Sequence, residues 1–203
     1  MTQENLIHRV ALLGPPLNGK FSLLSTLARV ASIVGADLTI SDIKICGHST
    51  RRTDLDLLPF DDPHHIFRIQ TFSGPVFYAR ECLEELLQDC DGVWFLALES
   101  GINIRTTDET EIAERQAECL EYLEDVITIA ERFQKKPSDV PWTLIMNQVP
   151  NELPGKGVHL RQSPWFSKTS VPIIELEAPR EAAQLLAYLG DSNHHLWNQW
   201  NKA

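Results

Sequence analysis

The sequence predicts an α/β fold: a mostly parallel six-stranded sheet with one antiparallel edge strand and helices on both faces. Three observations predict it. Apolar strand-like runs alternate with amphipathic helical stretches along most of the chain. The run at residues 93–98 is apolar throughout, as in a strand covered on both faces, and 142–146 reads as another buried strand. The first strand passes through a glycine-bearing loop straight into the first helix.

Each element has its own warrant. Val10-Ala11-Leu12-Leu13 is a short apolar run that ends in Gly14-Pro15-Pro16, a buried strand followed by a loop. Residues 19–34 read as a helix, because Phe21, Leu24, Leu27, Ala28 and Ala31 recur at helical spacing and Gly35 suits a C-cap. Residues 55–58 and 66–72 read as strands. The turn signature Asp61-Asp62-Pro63-His64 lies between them, so they should pair as an antiparallel hairpin. Residues 78–87 are amphipathic and helical. Residues 107–133 form a long acidic helix with Thr107 or Asp108 as cap. Residues 142–146 and 171–176 are further buried strands, and 180–189 is a closing helix stopped by Gly190. Pro150, Pro154, Gly155, Gly157 and Pro164 mark a long loop between residues 147 and 170. There is no internal repeat.

A chain of 203 residues suits one domain, here residues 1–190, followed by a Trp-containing tail at 191–203. Eighteen basic against 28 acidic residues give a net charge of −10. That argues against a nucleic-acid binder with a basic footprint and against a polybasic membrane anchor. Cys46, Cys82, Cys90 and Cys119 form no C-x-x-C pair, so reduced and mostly buried thiols are expected. No signal-peptide pattern and no run of membrane-spanning length is present, so the expected location is the cytoplasm.

Gly14-Pro15-Pro16-Leu17-Asn18-Gly19-Lys20 fits G-x-x-x-x-G-K in the context that motif needs, after a strand and before a helix. Such a loop turns backbone N–H groups toward a diphosphate, and the helix N-terminus adds partial positive charge. Lys20 would reach the outer phosphates. The next position normally carries a Ser or Thr hydroxyl for Mg²⁺, and here it is Phe21. Ser22, about 100° further round the helix, would serve only with a shifted loop.

Further segments then follow in order: Arg52-Thr53, Asp56-Leu57-Leu58-Pro59, Thr71-Phe72-Ser73-Gly74 with Val76-Phe77-Tyr78, Asp91-Gly92-Val93, and Asn147-Gln148 after a strand. This set resembles the bacterial Ras-like small GTPases of the mutual gliding-motility type. Their pattern runs R-T…D-F-L-P, T-x-P-G-Q-V-F-Y, D-G-V-x-F-V-A-D-S and N-K-x-D. The resemblance implies a Ras-like P-loop NTPase fold, GTP or GDP as ligand with Mg²⁺, and two switch loops around the γ-phosphate. It makes Thr53 the switch threonine that senses Mg²⁺ and γ-phosphate, and Arg52 an arginine finger in cis. Gly74 would meet the γ-phosphate through its N–H, and Asn147 would lie against the base. A protein partner at the switch surface, a Roadblock-type regulator, and a role in cell polarity are also implied.

The departures point to a degenerate site. Phe21 removes the metal hydroxyl, which leaves Ser22 and Thr53 as the candidate metal ligands. Pro75 replaces the glutamine that orients the attacking water. Asn147-Gln148-Val149-Pro150 lacks the lysine and the base-reading aspartate of N-K-x-D; Glu152 would supply that carboxylate if two residues loop out. Glu177-Ala178 stands where the family's second base contact lies, with Ala178 as the candidate. The expected function is a GTPase-like regulatory protein with weak or absent hydrolysis. The alternative is an active GTPase switch that uses compensating residues or a partner-supplied group. A P-loop kinase or ATPase lacks support, because Thr71 stands where a Walker B aspartate belongs.

Weaker signals have structural readings. Cys46, His48, His64 and His65, with Asp61 and Asp62 nearby, match no standard zinc spacing and are taken as loop and turn residues. Leu196, Trp197 and Trp200 suit either a partner anchor or a tail packed back on the domain. The acids from Glu109 to Glu131 suit a solvated helix face better than a docking face.

Overall fold

A computed structural model describes residues 6–16, 18–31, 35–45, 47–58, 65–73, 80–98, 109–147, 171 and 173–176. In chain order the elements are β1 (Leu6–Leu13), α1 (Lys20–Ala31), β2 (Ala36–Ile45), β3 (His48–Leu57), β4 (His65–Ser73), α2 (Arg80–Gln88), β5 (Gly92–Leu98), α3 (Glu109–Arg132), β6 (Trp142–Asn147) and β7 (Ile173–Leu176). One seven-stranded sheet takes the order β2-β3-β4-β1-β5-β6-β7. Strands β4, β1, β5, β6 and β7 run parallel. β3 runs antiparallel to both of its neighbours.

The α/β class, the mostly parallel sheet and all six expected strands are present. The expected 55–58/66–72 pairing is the β3–β4 pair. Ala36–Ile45 adds a seventh strand, so the antiparallel strand is not the edge: β2 covers it over ten paired positions, from Ala36↔Leu57 to Ile45↔His48. The β2–β3 pairing closes at Ile45↔His48, and Gly47 takes φ +84°, a conformation that tight hairpin turns demand.

Alternation along the strands feeds two cores. Val10 and Leu12 on β1, Leu55 and Leu57 on β3, Phe67 and Ile69 on β4, and Trp94 and Leu96 on β5 pack under α1 through Leu23, Leu24, Leu27 and Ala31. Ala11 and Leu13, Phe95 and Ala97, and Leu144 and Met146 face the other way, against Leu83 and Leu87 of α2 and Cys119, Leu123 and Val126 of α3. Helices therefore lie on both faces. At the C-terminal end of α1 the Ala31 carbonyl accepts a 3.1 Å bond from the Gly35 N–H, with Gly35 at φ +106° as the expected cap. Beyond α2, Asp91 ties β5 to β1: its Oδ2 accepts from the Arg9 N–H at 2.8 Å, and its own N–H donates to the Arg9 carbonyl at 2.7 Å.

Cys82, Cys90 and Cys119 are buried and outside any disulfide, as the spacing implied. Among the described residues no helix is long and apolar enough to cross a membrane. The expected closing helix at 180–189 and the Trp-containing tail lie outside the described residues.

Candidate functional site

The order of strands singles out one end of the sheet. From β1 the chain crosses to the edge strand β2 and returns inward through β3 to β4 on one side, then builds outward on the other through β5, β6 and β7. β1 is thus the point where the winding reverses, and α1 and α2 leave the sheet on opposite faces. Open α/β sheets bind ligands in the crevice that this reversal opens at the carboxyl ends of the strands. The loop that follows Leu13 sits there.

Backbone space shapes that loop. Gly14 takes φ +141°, and a Cβ built on it would lie 2.2 Å from the Leu96 carbonyl oxygen on β5. Only glycine fits so close a crossing. The same oxygen accepts a 3.2 Å bond from Asn18 Nδ2. Asn18 is 1% exposed, and its Oδ1 is buried without a partner. Gly19 takes φ +84°, and its carbonyl accepts the first bond of α1, from the Leu23 N–H at 2.8 Å.

Lys20 opens α1 and folds back into the loop. Its Nζ donates to the Gly14 carbonyl at 2.7 Å and to the Pro15 carbonyl at 2.6 Å. The side chain is 7% exposed. Burial pulls its pKa from 10.5 down to about 7, and Cys119 on α3 opposes the fall slightly. Burial in turn pushes the Cys119 thiol up to about 12, so it stays protonated and neutral. The loop thus concentrates the N-terminus of α1 and one buried amine at a single point, which is the chemistry an anion needs.

The remaining sequence-derived candidates divide into three groups. Phe21 and Ser22 are both exposed on the first turn of α1, Phe21 to 44%. Arg52 and Thr53 sit inside β3, paired with Phe72 and Thr71, and alternate to opposite faces. Arg52 Nε donates to Asp54 at 2.9 and 3.1 Å, and its Nη1 lies 3.5 Å from Glu85 on α2. Thr53 is fully buried, and its hydroxyl has no partner. Asn147 ends β6 on the same rim as the loop, opposite Leu98 of β5. Gly74, Pro75, Gln148, Glu152 and Ala178 lie outside the described residues.

Thr71, in the Walker B position, donates its hydroxyl to the Leu12 carbonyl at 2.8 Å and ties β4 to β1 below the loop. His48 and His65 open two antiparallel strands and so lie at opposite ends of the β3–β4 pair, roughly 35 Å apart by strand rise. That separation removes the zinc cluster; among the described residues no group of three His, Cys, Asp or Glu side chains is placed to hold a metal. The Leu96 carbonyl completes the site and carries no sequence signal, being backbone on a remote strand. No protein-family model matches the chain, and no curated protein is detectably similar to it.

Proposed function

We propose that this chain is a small Ras-like, P-loop protein of the GTPase family with a degenerate active site. It binds a nucleotide with little or no hydrolysis and acts by presenting the surface around the loop to a protein partner. The observation that carries the reading is Lys20, buried with its Nζ drawn onto the Gly14 and Pro15 carbonyls between two positive-φ glycines. A lysine placed there serves a phosphate group, and the reversal point of the sheet is where a nucleotide belongs.

The state of the catalytic residues supports the absence of turnover. Phosphoryl transfer depends on positioning and on electrostatic stabilisation of the transferring group. Arg52 is engaged by two carboxylates, and Thr53 is closed inside the sheet. The resemblance supplies the family, the guanine base, the Roadblock-type partner and the role in polarity, and each stands as part of the proposal.

Calorimetric titration of the nucleotide-free protein with GDP, GTP and ATP tests it. Micromolar binding that is lost in Lys20→Met supports the reading. No heat with any of the three nucleotides would sink it.

A further inference from the structure

The magnesium ion that the resemblance implies does not fit the residues around this loop. At position 21 the hydroxyl that would ligate it is a phenyl ring, 44% exposed. The Thr71 hydroxyl, 1% exposed as a residue, lies between β4 and β1 and donates to the Leu12 carbonyl at 2.8 Å. The Thr53 hydroxyl lies within a paired strand with no solvent exposure. Mg²⁺ demands near-ideal octahedral oxygen geometry and is normally anchored by at least one protein oxygen beside the phosphates. At the position that normally supplies it, Phe21 offers none, and Ser22 is turned about 100° further round the helix.

The positive charge is equally limited. Arg51 on β3 pairs with Asp42 at 3.3 Å, and Arg52 pairs with Asp54 and Glu85. At the loop itself the described residues bring the Lys20 amine and the N-terminus of α1, worth about half a charge. Each added phosphoryl group brings at least about one more negative charge at neutral pH. Without a divalent cation to offset it, the γ-phosphate is the group that the loop serves least.

We infer that this loop holds its phosphates without a divalent cation and selects a nucleoside diphosphate over a magnesium-bound triphosphate; the inference rests on the phosphate-loop reading above. The ligand is then a constant occupant rather than the input of a hydrolysis-driven switch.

The test is calorimetric titration of the full chain with GDP and with GTP, in MgCl₂ and in EDTA, for the wild type and for Phe21→Thr. Phe21 is exposed, so its replacement leaves both cores intact. The wild type should bind GDP equally within about twofold in the two buffers, and GTP about tenfold or more weakly than GDP. Phe21→Thr should gain a magnesium dependence of about tenfold. A wild type whose binding strengthens about tenfold with Mg²⁺ overturns the inference and leaves the phosphate-loop reading standing. Tighter GTP than GDP in EDTA overturns the diphosphate selection. No binding in either buffer overturns the phosphate-loop reading and this inference together.

Discussion

Replacing Lys20 by Met should make the protein more stable and unable to hold its ligand. The fall in the Lys20 pKa from 10.5 to about 7 means that the folded protein disfavours the charged amine. At about 1.4 kcal/mol per pKa unit, that disfavour is of order 4 kcal/mol at pH 7 and below, where both folded and unfolded chains carry the proton. Lys20→Met removes it, but it also strips two carbonyls, Gly14 and Pro15, of a donor, at about 1–3 kcal/mol for each that stays dry. The net gain at pH 6 should be about 1–2 kcal/mol. Its pH dependence is the sharper signature. Between pH 7 and 10.5 the unfolded wild type binds a proton that the folded wild type has released, so wild-type stability rises with pH. The advantage of Lys20→Met should therefore shrink by about 1.4 kcal/mol per pH unit above pH 7 and reverse in sign near pH 8. Urea denaturation of both proteins at pH 6, 7.5 and 9 measures this. A stability difference that does not change with pH would refute the reasoning, because it would mean that the amine stays protonated in its burial site.

Ligand binding should carry the same proton. Affinity for a phosphate ligand should fall by up to about tenfold per pH unit above pH 7, as read by titration across pH 6.5 to 9, because the anion selects the ammonium form. Gly14→Ala should lower stability by about 3–5 kcal/mol, from backbone strain at φ +141° and a contact of 2.2 Å with the Leu96 carbonyl. Thermal unfolding should show it as a fall of roughly 10 °C in Tm. Thr143→Val should raise stability by about 1 kcal/mol in urea denaturation, since the Thr143 hydroxyl is fully buried beside Trp94 without a partner. A loss instead would show that a buried water bridges Thr143 and the Trp94 indole N–H.

The parts of the fold visible in the sequence were those whose burial leaves a simple period. Residues 10–13 of β1 and 93–97 of β5 are covered on both faces and read as unbroken apolar runs. β2 went unread because its apolar phase changes along its length. Ala36 and Leu38 pack against the α1 core, while Ile43 and Ile45 pack against the α2–α3 core, so the alternation slips by one residue near Ser41. The first seven residues of β3, from His48 to Asp54, hold no aliphatic side chain. They are strand because polar pairs tie them across the sheet: Thr50 to the Ser73 carbonyl at 3.1 Å, and Gln70 to Asp54 at 3.1 Å. Hydrophobic periodicity carries no trace of such pairs.

The site divides along the same line. Gly14, Asn18, Gly19 and Lys20 are contiguous, so their joint geometry is local and the sequence displays it. The Leu96 carbonyl that receives Asn18 and excludes a Cβ at Gly14 belongs to a strand nearly eighty positions away, and only the β1–β5 pairing brings it there. The partner of Thr71 is likewise a backbone carbonyl, fixed by the parallel register of β4 on β1.

Read energetically, the loop offers a reason for its own composition. A methionine would fill the Lys20 site at lower cost, and an alanine at Asn18 would avoid an unpartnered buried oxygen. Both residues make the empty fold less stable, and neither closes a contact between helix and core that an apolar residue could not make. Local choices that oppose the stability of the fold are expected where the chain holds something else. Phe21 departs in the other direction: the ligating hydroxyl is replaced by an apolar ring that stays in water. An anion resolves the first of these departures, since it would receive the Lys20 amine and repay its desolvation. A magnesium ion resolves neither the buried amine nor the exposed ring at position 21. The same loop that argues for a phosphate therefore argues against the metal that usually accompanies it.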